Sequence, residues 1–345
     1  MSEMSGPSPA VSAAAPLVIE SHRGPYQVTF AADVFSEMRA NVSEQLHFII
    51  DERVARLYES DLKEILASPK VLLIEATEEN KSLDKFSAYV EALAGQGIRR
   101  GHELVAVGGG IIQDITCFLA ATLLRGLEWR FYPTTLLAQA DSCIGSKSSI
   151  NVGKIKNVLG TFTPPRAISI STRLLETLDE RDVRSGIGEM LKVHVIDGPQ
   201  AFDQIAQDYS RLTREPEVLQ HYIRRSLEIK KTIIEQDEFD RSIRNIMNYG
   251  HSFGHAIESA TNFGIPHGIA VTIGMDMANY VAVKFDRMAQ DHYSRMHPAL
   301  AANYAGFEKV EVPFEPFMQA LSKDKKNAGK QLGLILPDAE ARGRG

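Results

Sequence analysis

Cysteine is nearly absent. Cys117 and Cys143 are the only two in 345 residues, which excludes a disulfide framework and makes a reducing cytoplasm the expected setting. No His and Asn pattern accompanies Cys143, so a small buried filler is expected there, not a nucleophile. Long apolar runs are missing too. The longest, Phe118–Leu124, falls far short of the roughly 20 residues that a membrane-crossing helix needs. The start, MSEMSGPSPAVSAAAP, has neither the basic segment nor the sustained apolar core of a secretory signal. Its Ser, Pro and Ala bias predicts a disordered tail over residues 1–16. Positive charge is not in excess: the net charge of −6 provides no field to draw nucleic acid or an anionic membrane. An anionic substrate would have to be met by local cations.

What is present is an ordinary globular composition, 44% apolar and 24% charged, in a chain long enough for two domains. Leu17–Ser21 and Tyr26–Phe30 alternate around Arg23-Gly24-Pro25 and predict an antiparallel hairpin. Strand and helix then take turns. His47–Asp51 leads into an amphipathic helix through Leu66, and Val71–Ala76 into a helix over Leu83–Ala94. Leu104–Val107 runs into Gly108-Gly109-Gly110 and a helix from about Ile111, while Trp129–Tyr132 and Ala167–Ser171 read as further strands. This rhythm predicts an α/β N-terminal dinucleotide-binding domain with a parallel sheet over residues 17–171. Beyond Thr172 helical periodicity takes over, in Arg181–Ile196, Glu217–Glu235, Ser242–Thr261, Ile269–Lys284 and His292–Asn303. Only Leu332–Leu336 looks like a strand, so a mainly α-helical C-terminal domain is expected over residues 172–345.

Three groups of residues carry chemistry. His251 and His255 are four apart in a helical stretch, so both imidazoles leave one face. After Phe263–Gly264, His267 in Pro-His-Gly brings a third, and three such ligands with an open position suit a catalytic divalent metal. A lone helical His is more often a core or surface residue, and it is the third His together with an upstream carboxylate that makes this read as a metal site. The strand–GGG–helix junction lets backbone N–H groups approach a pyrophosphate, although the three glycines could equally serve a tight turn. Asp51 at a strand end is placed for a ribose, with Glu78, Lys81, Asp114, Thr134 and Thr135 at other strand ends or helix starts. Asp141 to Lys147, then Lys154, Lys156 and Asn157, form a polar, basic loop between the two halves. Such a run is either a solvated face or an anion site. Glu189 and Lys192 in GEMLK share a helical face, as a surface ion pair or as a carboxylate for the metal beside a lysine for substrate.

Taken together, GGGIIQD, PTTLLAQADSCIGSK, KNVLGTF, GEMLK and RNIMNYGHSFGHAIE with PHG resemble the 3-dehydroquinate synthase family of sugar phosphate cyclases, from about Asp51 to Leu336. The resemblance implies NAD in the N-terminal domain and a divalent metal, zinc first and cobalt second, held by Glu189, His251 and His267. His255 is then left for the substrate phosphate, which replaces the ligand pair suggested by spacing. It further implies cofactor contacts from Asp51, Glu78, Lys81, Gly109, Gly110, Ile111, Asp114, Thr134, Thr135, Asp141, Lys147, Lys156 and Thr177. The substrate pocket would be lined by Asp141, Lys147, Asn157, Lys192, Lys230, Arg244, Asn248 and one of Lys325 or Lys326. Arg125 matches an arginine that reaches a neighbouring subunit, so a homodimer is expected.

The implied chemistry is a transient oxidation of one ring hydroxyl by NAD, elimination of phosphate, return of the hydride and an intramolecular aldol closure. Arg244 and Lys230 match positions facing the carboxylate of a heptulosonate phosphate, and a guanidinium fork suits that group. Some positions depart from the family pattern. The loop reads GSKSSINVGKIKN where family members resemble GGKTAINxPxGKN, with glycine at the position of Ser146, and LDERD lacks the proline of TLPxR. These changes leave room for a cyclase of another sugar phosphate, such as sedoheptulose 7-phosphate. The rival classes are a metal-dependent alcohol dehydrogenase of the glycerol type, which has no use for Lys147, Asn157, Lys192 and Arg244 around a phosphate, and a non-catalytic scaffold, which needs no open metal site.

Overall fold

The computed structural model describes residues 15–153, 155–323, 333–337 and 343–344. Alternating Leu17 and Ile19 face inward on β1 (Leu17–Ile19), which pairs antiparallel with β2 (Tyr26–Phe30) around a turn at Gly24. Asp33 caps α1 (Val34–Ala40) by accepting from the Ser36 amide at 3.0 Å. The near-continuous apolar run of β3 (Leu46–Asp51) is buried on both faces, as a central parallel strand requires. The amphipathic stretch that follows breaks at Tyr58 into α2 (Glu52–Leu57) and α3 (Glu59–Leu66), where a single helix was expected. β4 (Val71–Ile74), α4 (Phe86–Gly95), β5 (Glu103–Gly108), α5 (Gly110–Thr122) and β6 (Glu128–Pro133) complete the strand–helix alternation.

The segment read as a polar loop is a β-hairpin instead. β7 (Lys147–Val152) and β8 (Ile155–Phe162) pair antiparallel, with a register shift between Ile150 and Val152. Ser and Lys dilute the β-branched signal in β7, and residues 155–160 of β8 are all exposed, so apolar alternation is weak. β9 (Ala167–Ile170) then returns to the main sheet, whose order is β1-β2-β9-β6-β5-β3-β4, parallel throughout except for β1. β3 runs out to β4 on one side, whereas β5 starts on the other side of β3. The strand order therefore reverses between β3 and β5, and a crevice opens beyond their carboxyl ends.

Helices follow: α6 (Glu180–Asp197), α7 (Pro199–Gln207), α8 (Tyr209–Leu212), α9 (Pro216–Ile234), α10 (His251–Ala260), α11 (His267–Lys284), α12 (Gln290–Tyr304) and α13 (Phe314–Ser322). The helix expected over Ser242–Thr261 is interrupted. Ile243–Asn248 is a 3-10 turn, and Gly250 takes φ +78° before α10 begins at His251. A side chain at Gly250 would also meet the Val271 carbonyl at 2.7 Å, so the break is built into the packing of α10 against α11. The C-terminal strand is only Leu336–Pro337, paired with Gly343–Arg344. Residues 1–14, Lys154, Lys325, Lys326 and Leu332 lie outside the described residues. Among the described residues no helix is long and apolar enough to cross a membrane. One large apolar core links the sheet's inner face through Trp129, Phe131 and Ile168 to Met190, Leu191 and Met275 of the helices.

Candidate active site

At the point where the strand order reverses, Gly109 caps α5 and lies so close to Thr135 that a Cβ would stand 2.8 Å from its Cγ2. Gly110, Ile111, Asp114, Thr135, Glu78 and Lys81 form one wall of a cleft of about 490 Å³, and Lys147 and His267 belong to the same cleft. Thr134 is buried, with its amide donating to the Gly108 carbonyl at 2.9 Å. Lys81 is the hub of this wall: its Nζ lies 3.1 Å from Asp114 Oδ2, 3.0 Å from Asn157 Oδ1 and 3.5 Å from Glu78 Oε1. Ser149 ties the hairpin to the same group through Asp114 and Asn157. Burial tends to raise Glu78, but Lys81 and Asn151 outweigh it and hold the carboxyl below its ordinary value. Asp51, at the end of β3, is raised by burial and accepts from the Arg53 amide, so one of its oxygens caps α2.

Opposite this wall, α10 and α11 bring three imidazoles together. Ligand nitrogens of His251, His255 and His267 lie within 4.8 Å of one another. Glu189 reaches them from α6, with Oε1 3.8 Å from His251 Nε2 and 3.5 Å from His267 Nε2. That oxygen is buried and has no hydrogen-bond partner, whereas the other oxygen of the same carboxylate is paired with Lys192. The far sides of the rings are anchored: His267 Nδ1 lies 3.1 Å from Glu258 Oε2, and His251 Nδ1 lies 3.2 Å from the Tyr249 carbonyl. Such outer partners orient ligating imidazoles with Nε2 presented inward. Burial drives His251 well below its ordinary pKa, while at His267 the Glu258 and Glu189 carboxylates overcome burial and raise it. An orphaned buried carboxylate oxygen facing two oriented imidazoles fits a divalent cation.

Beside the imidazoles lies a chain of buried charges. Asp141 stands 2.7 Å from Lys230 and 3.7 Å from Lys192, and Lys192 is paired in turn with Glu189. All four side chains are at least 85% withdrawn from solvent, with Glu189 at 1% and Asp141 at 15% exposure. Burial opposes ionisation of Asp141, but the two lysines hold it well below the carboxylate range. Burial pulls Lys230 down although Asp141 opposes this, whereas Glu189 and Asp141 outweigh burial at Lys192 and raise it. Arg244, also buried, donates from Nη1 to the Gly145 carbonyl at 3.1 Å and to the Glu238 carbonyl at 2.5 Å.

The sequence relations agree with this geometry. Residues 71–185 match the family profile for the 3-dehydroquinate synthase N-terminal part, and residues 186–327 match that for its C-terminal part. The 3-dehydroquinate synthase of Idiomarina loihiensis is 34% identical over 302 residues, covering 86% of this chain and 85% of that one. This chain belongs to the 3-dehydroquinate synthase family. Solved structures share the fold. A 2-deoxy-scyllo-inosose synthase structure, complexed with carbaglucose-6-phosphate, NAD+ and Co2+, superposes with a TM-score of 0.82 at 24% identity over 96% of this chain and 94% of that one. The 2-epi-5-epi-valiolone synthase from Streptomyces hygroscopicus, with NAD+ and Zn2+ bound, superposes with a TM-score of 0.81 at 24% identity, covering 92% and 91%.

Of the residues that the family pattern singles out, the structure gathers Glu78, Lys81, Gly110, Ile111, Asp114, Thr135, Lys147 and His267 in the cleft. It places Asn157 beside Lys81, whose Nζ donates to Asn157 Oδ1. Lys156 sits 3.5 Å above the ring of Phe263, so it bridges the hairpin to the turn between α10 and α11. Thr177 donates to the Tyr58 hydroxyl at 3.2 Å, and Asn248 donates to the Asn245 carbonyl at 3.2 Å. Arg125 is exposed at the far end of α5, roughly 20 Å from the helix's glycine start given 1.5 Å per residue. Lys325 and Lys326 lie outside the described residues. Cys143 is buried, its thiol pushed up to about 12 by burial, which suits a filler. Three partners escaped the sequence reading: Glu258 behind His267, Asp240 paired with Lys147, and Glu238. Glu258 could have been found, since it lies seven residues after His251 and three after His255 on the same helix.

Proposed function

We propose that this chain converts 3-deoxy-D-arabino-heptulosonate 7-phosphate into 3-dehydroquinate and phosphate, with NAD in the cleft at the glycine turn and a divalent metal at Glu189, His251 and His267. One observation supports this most strongly: the orphaned Glu189 oxygen and its imidazoles stand at the head of the Lys192–Asp141–Lys230 chain, and one of those imidazoles, His267, lines the cleft shared with the glycine turn. A metal held there supplies Lewis acidity toward a substrate hydroxyl, and NAD accepts and returns a hydride. The chain's own groups do the rest. Glu258 holds His267 with Nε2 turned inward. Asp141 keeps two ammonium groups in place, and these, with Lys147 and Arg244, neutralise phosphate and carboxylate. His255, exposed on the face it shares with His251, takes in this reading the role of meeting the phosphate and carrying a proton to it.

The reading extends to zinc as the metal, with cobalt as a substitute, and to a boundary between the two domains near residue 172. It also includes a cytoplasmic homodimer in which Arg125 serves the neighbouring subunit, a role consistent with its distance from its own cleft. The test is phosphate release by the purified protein with NAD and zinc, offered the heptulosonate phosphate and sedoheptulose 7-phosphate in parallel. Release from the first without accumulation of NADH is expected. Release from the second alone would keep the cyclase chemistry and overturn the substrate, and NADH accumulation would point to a dehydrogenase.

A further inference from the structure

We propose that Ser146, Glu238 and His22 form a staple that positions Lys147 and Arg244 against the anionic groups of the substrate, an inference that rests on the cyclase reading above. Ser146 occupies the left-handed region, φ +64°, which non-glycine residues avoid. What it gains there is a hydrogen bond: its Oγ donates to Glu238 Oε1 at 2.7 Å. The same carboxylate accepts from the His22 amide at 2.8 Å and lies 3.0 Å from His22 Nδ1. One residue thus joins the turn between β1 and β2, the entry to β7 and the loop that follows α9. Burial would raise the Glu238 carboxyl, yet the Ser146 and His22 hydrogen bonds outweigh it and hold it below its ordinary value.

Two of the substrate-facing cations, Lys147 and Arg244, hang from this anchor. Lys147 follows Ser146 directly and is paired with Asp240, two residues after Glu238. Arg244 donates to the Glu238 carbonyl and to the carbonyl of Gly145, the residue before Ser146. Phe239 fills the joint, with its ring 5.3 Å from His22 and 5.2 Å from Phe162 of β8. The Ser146 carbonyl accepts from the Thr163 amide at 2.7 Å, which closes the segment against the end of β8. Cutting the hydroxyl therefore releases both cations together, and neither Ser146 nor Glu238 needs to touch substrate. They are positioning residues.

Ser146→Gly separates this role from simple support of the fold, because glycine accepts the backbone conformation while losing the hydroxyl. In the holoenzyme, KM for the heptulosonate phosphate is expected to rise about tenfold with kcat within about twofold and KM for NAD unchanged. The melting temperature should stay level or increase. Glu238→Gln should move KM in the same direction. An unchanged KM in S146G, or kcat and melting temperature falling together, overturns the staple. If the wild-type protein releases no phosphate, the cyclase reading has failed separately, and amide exchange decides the staple. Residues 20–24, 145–148 and 237–244 should then all exchange about tenfold faster in S146G, and unchanged exchange in any of the three refutes it.

Discussion

Gly188→Ala puts the geometry of the imidazole cluster at stake. Helices α6 and α11 cross at Gly188 and Gly268, where a Cβ on Gly188 would stand 2.1 Å from the Gly268 carbonyl oxygen and 2.6 Å from Thr272 Oγ1. Glu189 is the next residue on α6, and His267 precedes Gly268 on α11, so this crossing sets the 3.5 Å between them. Two effects compete. Alanine is the better helix former by about 1 kcal/mol, which alone would stabilise α6. A backbone carbonyl, however, cannot swing aside as a side-chain end can, and ordinary contact requires the helices to part by about 1 Å. Overpacking of this kind costs about 1–3 kcal/mol, and here it also strains the hydrogen bond that the Gly268 amide N–H donates to Ser185 Oγ at 2.9 Å. A net loss of about 2 kcal/mol is expected, a fall of about 4 °C in melting temperature. Opening the gap between Glu189 and His267 should weaken zinc binding by about tenfold or more in chelator competition. Gly95→Ala in α4, where nothing lies within 4 Å, serves as the control and should be neutral or stabilising. If G188A melts with the parent and holds zinc as tightly, the crossing does not set the cluster.

Asp141→Asn removes the carboxylate shared by Lys230 and Lys192 and leaves buried ammonium groups short of a counter-charge. A loss of about 3–5 kcal/mol in urea unfolding is expected, and a midpoint matching wild type would show that Lys230 needs no partner. His194, buried with Nδ1 2.7 Å from the Met190 carbonyl, has its pKa pulled by burial from 6.5 to about 4, so it is neutral in the fold. The unfolded chain takes up the proton first as pH falls. Its contribution is therefore complete above pH 6.5 and declines toward pH 4, reaching a loss of about 2 kcal/mol by about pH 5. Urea unfolding at about pH 7 and about pH 5 should show a flatter dependence in His194→Gln, and equal slopes in both proteins would disprove the assignment.

The alternation of short apolar strands with helices, the glycine junction after β5 and the shared face of His251 and His255 were all legible in the sequence, because side-chain period and turn chemistry act over a few residues. The family motifs made NAD, the metal and the cation set expectable. Other features depended on segments far apart in the chain. The hairpin of β7 and β8 was hidden because residues 155–160 of β8 are all exposed, Ile155, Val158 and Leu159 among them, so its side chains do not alternate between core and solvent. The interruption at Gly250 follows from Val271 and Met275 pressing on it, which no local propensity reports. The crevice between β3 and β5 exists only through the strand order. Likewise, Glu189 is a ligand candidate because its oxygen is buried without a partner, and Glu238 is an anchor because three segments converge on it. Spacing along a chain states which side chains can share a face. Desolvation and partner choice are settled only when distant segments close around them.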